Sequence, residues 1–256
     1  MHPKQFDTRM HALEGFHTLR VPPGIWPILR VDGRSFTAFT EARGLGKPFD
    51  DTFRDWMVTT AQALLQELGA LYAYTESDEI SVLLPADSAL FDREVEKLVS
   101  ISAGLASGVF SCQAGVPVVF DSRVCLAANA ELVVDYFRWR QADAGRCALN
   151  GWAYWTLRQA GKSARDAAAM LHGQSVGFKH EILFQHGINF TNLPLWQRRG
   201  LGVYWETYEK VGRNPLTGAE SPALRRRVKV DSALPMQEEY AAMLQHLLGA
   251  TVQQRQ

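Results

Sequence analysis

Ile28-Leu29-Arg30-Val31-Asp32-Gly33-Arg34-Ser35-Phe36 and Tyr74-Thr75-Glu76-Ser77-Asp78-Glu79-Ile80 are the stretches on which the fold turns. The first reads as a buried strand ending on an acid and a glycine. The second reads as a tight hairpin with acids at its bend and strand residues on both sides. Two neighbouring strands that deliver Asp32 and Asp78 to one spot would form a site for hard divalent cations, which prefer oxygen ligands.

Working outward, Val21-Pro22-Pro23-Gly24 is a breaker and a strand is expected over 25–31, with Pro27 demoting its start to an edge or a bulge. Residues 1–20 read as a weakly patterned helical flank, and 35–47 as a loop or a short helix followed by a loop. A helix is predicted over 51–68, where Phe53, Trp56, Met57, Thr60, Ala61, Leu64, Leu65 and Leu68 keep helical spacing. Asp50 or Asp51 would cap it and Gly69 would stop it. The hairpin over 71–84 follows, then a helix over 90–109. A further strand over 116–119 and 124–126 is interrupted at Asp121-Ser122-Arg123. Strand, helix, hairpin, helix, strand is the split order of a ferredoxin-like βαββαβ core, the frame of a polymerase palm. In that frame Asp32 and Asp78, 46 positions apart in the chain, become neighbours.

Beyond residue 130 the composition shifts toward helix. The stretch 133–158 is dense in aromatics, and Ser163 caps an alanine-rich helix that stops at Gly173. A hairpin over 201–208 and 226–230 turns at Asn214-Pro215-Leu216-Thr217-Gly218, and a last amphipathic helix covers 236–248. The expected class is α+β: a catalytic palm over 1–130, and over 131–256 a helical and hairpin extension for RNA binding and oligomerisation, packed on it as one unit.

At 256 residues the chain is long enough for a sizeable core. No membrane-crossing run and no secretory leader is expected, and three cysteines without metal spacing suit reduced core thiols in a cytoplasm. Net charge is zero, which argues against a nonspecific basic nucleic-acid binder. Residues 1–130 carry 11 Lys/Arg against 16 Asp/Glu, and residues 131–256 carry 16 against 11. An acidic half with a metal site beside a more basic half suits an RNA-processing enzyme.

Nucleotidyl transfer needs little covalent help from protein. It needs two metal ions that activate the attacking hydroxyl, stabilise the leaving oxygen and align both. Asp32 at a strand end and Asp78 at a bend are rigid enough to hold them, and Gly33 would let its own carbonyl reach a metal. Glu79, next to Asp78, is a third candidate acid of the catalytic set, but it alternates to the other face of its strand and is a poorer ligand for the same ion. Backbone amides at Arg34, Ser35 and Phe36 would wrap a triphosphate, and Lys47 is a candidate phosphate contact. Arg93 and Lys97, four apart, are either phosphate ligands or surface charges paired with Glu94 and Glu96. Trp139, Trp152 and Trp155 would stack bases or fill core. Trp196-Gln197-Arg198-Arg199 pairs an aromatic with two cations.

Several blocks together resemble the tRNA(His) guanylyltransferase superfamily. They are 30–36, Lys47-Pro48-Phe49-Asp50, Ser77-Asp78-Glu79, Phe120-Asp121-Ser122-Arg123, Trp139-Arg140-Gln141-Ala142-Asp143, the block 179–184 and Gly187-Ile188-Asn189. The resemblance implies a palm fold and growth of tRNA in the 3′→5′ direction. Two Mg²⁺ would be held by Asp32, the Gly33 carbonyl and Asp78. The 5′-monophosphate would be activated with ATP or GTP, then attacked by the 3′-hydroxyl of an incoming nucleotide, usually GTP. The resemblance would put Arg123, Arg140, Arg146 and Lys179 near the triphosphate or RNA; Asp50, Ser77 and Arg123 are then candidate nucleotide contacts, and Arg140, Arg146, Asn150 and Lys179, with Arg198 and Arg199 of the Trp196 block, candidate RNA contacts. A homodimer or homotetramer in the cytoplasm, with no membrane partner, is implied as well.

One block departs from the pattern. Enzymes dedicated to histidine tRNA carry His-Ile-Asn-Asn-Leu-Tyr-Asn after the Trp139 block, whereas here the chain reads Ala144-Gly145-Arg146-Cys147-Ala148-Leu149-Asn150. That resembles the "like-protein" branch, which repairs truncated tRNA 5′ ends by copying the opposite strand. Alternatives on the same palm are a nucleotide cyclase, a conventional 5′→3′ polymerase, or a tRNA-binding protein without catalysis.

Overall fold

A computed structural model describes residues 3–213 and 220–253. The elements are α1 (Pro3–His11), β1 (Trp26–Gly33), α2 (Phe36–Ala42), α3 (Asp51–Glu67), β2 (Tyr72–Glu76), β3 (Glu79–Leu83), α4 (Val95–Ala114) and β4 (Phe120–Ala127). They continue with α5 (Ala130–Gln159), α6 (Ala164–Leu171), α7 (Val176–Gln185), α8 (Leu195–Arg199), β5 (Leu201–Arg213), β6 (Glu220–Asp231) and α9 (Gln237–Gln253). The strands form one antiparallel sheet in the order β4-β1-β3-β2-β5-β6. Its first four strands have the ferredoxin-like order, as the sequence pattern predicts. The late hairpin continues the sheet through pairing of β5 with β2; its turn, 214–218, lies outside the described residues.

Helices cover both faces. Leu29, Val31, Ala73 and Val82 enter a core with Met57, Leu64, Leu65 and Phe110 of α3 and α4. Ile28, Tyr72, Tyr74 and Leu83 enter a second with Phe137 of α5 and Tyr240 and Leu244 of α9. Burial on both faces explains why β1 and β3 read as near-continuous apolar runs. Caps fix the helix starts: Asp50 accepts from the Phe53 amide, Asn129 from Leu132, Ser163 from Asp166 and Ser175 from Phe178.

Several expectations change. β1 is central, but its start is one-sided, since β4 pairs from Trp26 while the β3 ladder begins at Ile28. Pro27, without an N–H, contributes its carbonyl to the Leu84 amide (2.9 Å). β4 runs unbroken through Asp121-Ser122-Arg123, because Asp121 and Arg123 stand in solvent on one face while Ser122, on the other, bonds Ser102 on α4. α4 begins at Val95, after a turn in which Phe91, Asp92 and Arg93 have positive φ, and ends at Gly115 (φ 68°). Residues 98–120 carry no Asp, Glu, Lys or Arg, so α4 is long and apolar enough to cross a membrane by length and composition. It carries Leu98, Ala106, Phe110 and Ala114 into the core against the sheet. The cysteines are free thiols, but Cys112 and Cys147 are exposed and Cys125 half-buried, so none is a fully buried core residue.

Candidate nucleotide site

The two acidic stretches meet. The Gly33 amide donates to the Asp78 carbonyl (3.0 Å), tying the end of β1 to the β2–β3 turn. Thr75 Oγ1 donates to the Glu79 carbonyl (3.0 Å) and closes that turn, in which Ser77 takes φ 48°. Ser77 Oγ donates to Asp78 Oδ1 (3.1 Å). Burial pushes the Asp78 carboxyl above the usual aspartate range; the negative charge of Asp32 adds to that, while hydrogen bonds from its own amide and Ser77 oppose it. Among the described residues no cation opposes that rise.

The other acids are already matched. Glu79 receives Arg140 Nε (2.7 Å) and Arg30 Nη2 (2.6 Å), and Glu76 receives Arg140 Nη2 (2.9 Å). Burial raises the Glu79 carboxyl and lifts Glu76 to about 8, with Arg140 pulling both the other way. Register places Asp32 directly opposite Glu79, so these two share a sheet face, with Arg30 (3.6 Å from Asp32) between them. Glu79 is thus held by two guanidiniums.

Asp78 lines a pocket of about 260 Å³ between α2, α3, the 45–50 loop, α5 and α8. Phe36, Lys47, Asp50, Glu76 and Ser77 line it too, as do Trp155 and Trp196. Lys47 Nζ bonds Thr40 Oγ1 (2.5 Å) and lies 5.8 Å from the Trp155 ring centre. Ala144, Cys147, Ala148 and Gly151 form the α5 wall, so the block that departs from the histidine-tRNA pattern is the pocket wall. Apolar walls with a few convergent polar groups are the build of a small-molecule site.

Other expected contacts are engaged by the protein itself, inside the pocket or outside it. Arg93 donates Nε to Val21, Nη1 to Ala86 and Ser88, and Nη2 to Pro22 and Ile25 (2.8–2.9 Å), so all five N–H groups are taken by carbonyls outside the pocket. Lys97 is an exposed partner of Glu94 and is not on one helix face with Arg93, which precedes α4. The Arg34 amide is committed to the Val119 carbonyl (2.9 Å). Ser35 is exposed, and Phe36 is a core ring. Both Asp50 oxygens serve the chain, Oδ1 accepting from Phe53 (3.0 Å) and Oδ2 from Gly46 (2.8 Å). Burial alone would raise this carboxyl, but those amides, Thr52 and Lys47 hold it low.

Among the RNA candidates, Arg140 is 4% exposed and saturated by Glu76, Glu79 and Asp143, so it has no surface for RNA. Arg199 donates to the Leu234 carbonyl (2.8 Å), and Arg198 to that of Leu193 (3.1 Å). Arg123 and Arg146 are exposed and paired with Asp121 and Asp143, while Asn150 and Lys179 are half-buried. Trp152 donates to Gln197 (3.2 Å). Sequence reasoning missed Arg30, although its two-residue spacing from Asp32 signals a shared face.

Among the described residues no group of three or more His, Cys, Asp and Glu side chains forms a metal cluster. What Asp32, Asp78 and the Gly33 carbonyl offer is a hard oxygen set, and Asp78 is a half-buried acid whose raised proton affinity no cation opposes among the described residues. That fits a Mg²⁺-type ion.

Residues 7–128 match the family model described as tRNAHis guanylyltransferase, and 131–245 the one described as Thg1 C terminal domain. The "Probable tRNA(His) guanylyltransferase" of Drosophila melanogaster is 34% identical over 189 residues, 70% of this chain and 66% of that protein. The tRNA(His) guanylyltransferase of Neurospora crassa is 32% identical over 203 residues, 74% and 69% of the two chains. The chain therefore spans about two thirds of the length of these relatives. A bacterial tRNA(His) guanylyltransferase-like protein solved with ATP superposes with TM-score 0.76 at 26% identity, over 95% of this chain and 98% of that one. The same kind of protein solved with GTP gives 0.71 at 27%, over 95% and 99%.

Proposed function

This chain belongs to the tRNAHis guanylyltransferase family, and from that premise we propose that it adds nucleotides, GTP preferred, to the 5′ end of tRNA in the 3′→5′ direction. The observation that carries the proposal is Asp78: a half-buried carboxylate on the pocket wall, its raised proton affinity opposed by no cation among the described residues, tied through the Gly33 amide to the strand that ends on Asp32. Two Mg²⁺ bound by Asp32, Asp78 and the Gly33 carbonyl would supply activation of the attacking hydroxyl and neutralisation of the phosphates. The chain's own part is to bind and orient. Lys47 and Ser77 meet a phosphate in the pocket, Trp155 and Trp196 bound its apolar side, and Glu79 keeps Arg140 and Arg30 fixed behind the acids.

The substrate we infer is a 5′-truncated tRNA repaired against its opposite strand, since small side chains, Ala144, Cys147 and Ala148, stand on the pocket wall where histidine-specific enzymes carry the His-Ile-Asn-Asn-Leu-Tyr-Asn block. Incubation with ATP, Mg²⁺, labelled GTP and either 5′-truncated tRNA or full-length histidine tRNA separates repair from identity marking. Label on neither RNA, or activity that survives Asp32→Ala and Asp78→Ala, overturns the proposal. Cyclic nucleotide formed without RNA would favour the cyclase.

A further inference from the structure

The nucleotide pocket leaves Trp139 unaccounted for. This α5 residue is 53% exposed, although an indole gains more than most side chains from burial. Its ring is nevertheless fixed. The Arg140 guanidinium lies 4.7 Å from the ring centre, that of Arg30 6.0 Å, and Tyr136 packs edge-on at 5.8 Å. Both cations are in turn anchored, Arg140 by Glu76, Glu79 and Asp143, and Arg30 by Glu79. An aromatic held by fastened cations and half open to solvent has already lost the freedom that binding would otherwise cost.

Its place relative to the acids is specific. Arg30 bridges the ring to Asp32, and on β4 register sets Arg123 opposite Arg30 and Asp121 opposite Asp32. Cross-strand partners share a face, so Arg123 stands on the α5 side with them, and it is more than half exposed. Asp78 opens on the pocket, whereas Asp32 is not among the pocket's lining residues and connects instead to Trp139. A transfer reaction needs two reactants at one pair of acids, and the pocket holds one.

We propose that Trp139 is the stacking platform for a nucleobase of the second reactant, with Arg123 beside it for that reactant's phosphate. The base belongs either to the RNA 5′ end or to a free nucleoside triphosphate. This rests on the nucleotide-transfer reading of the site. Aromatic faces take any base, so the platform positions without selecting sequence.

The test compares Trp139→Ala and Trp139→Phe in nucleotide addition to 5′-truncated tRNA with GTP. Expected is a KM raised by about tenfold or more in Trp139→Ala, with kcat and melting temperature nearly unchanged, and recovery to within about threefold in Trp139→Phe. A rise in the KM for tRNA assigns the base to RNA, and a rise in that for GTP assigns it to the free nucleotide. Unchanged KM for both, or a loss that Phe does not restore, overturns the platform while leaving the activity standing. Should the wild-type chain add no nucleotide, the transfer reading fails, and the platform is then read by tryptophan fluorescence. Quenching by the same tRNA or by GTP in wild type that is lost in Trp139→Phe supports it; absence of quenching by either overturns it.

Discussion

A Cβ added to Gly33 would stand 2.4 Å from two ring carbons of Phe36. That ring is backed by Phe53, Phe110 and Phe120, with centres 4.9–5.8 Å away, so it has little room to retreat. Gly33→Ala is expected to destabilise the fold by roughly 1–3 kcal/mol through overpacking and to disturb the Gly33–Asp78 bond. Urea unfolding measures the first and nucleotide addition by the folded fraction the second. If the ring is the obstruction, Phe36→Leu in the same chain recovers part of the loss. Equal losses in both backgrounds would place the conflict elsewhere.

Arg93 and Lys97 are separated by a similar test. Truncating Arg93 strands five carbonyls that bind the 21–25 and 86–88 segments to the turn before α4, and Arg93→Ala should cost about 2–4 kcal/mol. Lys97→Ala removes an exposed ion pair and should change stability by less than about 0.5 kcal/mol. Neither should alter the KM for GTP. A tenfold rise in that KM for folded Arg93→Ala would put its guanidinium back on a phosphate.

The palm was legible because its signals are local and strong: helical spacing over α3, a cap at Asp50, and an acid–glycine end to β1. What escaped is relational. Spacing cannot show that Phe36 fills the side-chain space of Gly33, a packing reason for that glycine beside the one that lets its carbonyl reach a metal. Charge alone cannot tell a cation aimed at phosphate from one saturated by backbone carbonyls, as at Arg93, or by buried acids, as at Arg140. Polar residues of β4 read as an interruption because Asp121 and Arg123 stand on a part of the sheet face open to solvent, where no apolar side chain is required. The short helices α7 and α8 carry too few turns for a clear period.

Asp78 should destabilise the metal-free chain. Its folded carboxyl binds a proton more tightly than the unfolded one, so its favourable contribution is complete below the ordinary aspartate value and disappears as pH rises through the raised value. At neutral pH without divalent ions, Asp78→Asn should therefore melt higher than wild type, with the gap closing in acid. Adding Mg²⁺ should raise the wild-type melting temperature and leave that of Asp78→Asn unchanged. Equal shifts in both proteins would remove Asp78 from the metal site.

Arg140 and Glu79 form the bond behind the acids, and the pair is expected to act as structure. Arg140→Ala leaves Glu76 and Glu79 buried without their main cation and should cost about 3–5 kcal/mol. Removing the cation leaves burial less opposed at both carboxyls, which then take up protons in the folded state at higher pH than when unfolded. A raised folded value means stability is lost as pH rises, so the variant should gain melting temperature between pH 8 and pH 6 by more than wild type does. Glu79→Gln in the Arg140→Ala background should recover part of the loss, since one of the two carboxylate charges is gone. The affinity of folded Arg140→Ala for tRNA should fall no further than that of Trp139→Ala, whose ring Arg140 holds, because a 4%-exposed guanidinium has no surface to offer a phosphate. Binding weaker than that, with unchanged stability, would reverse the assignment and make Arg140 a contact to RNA.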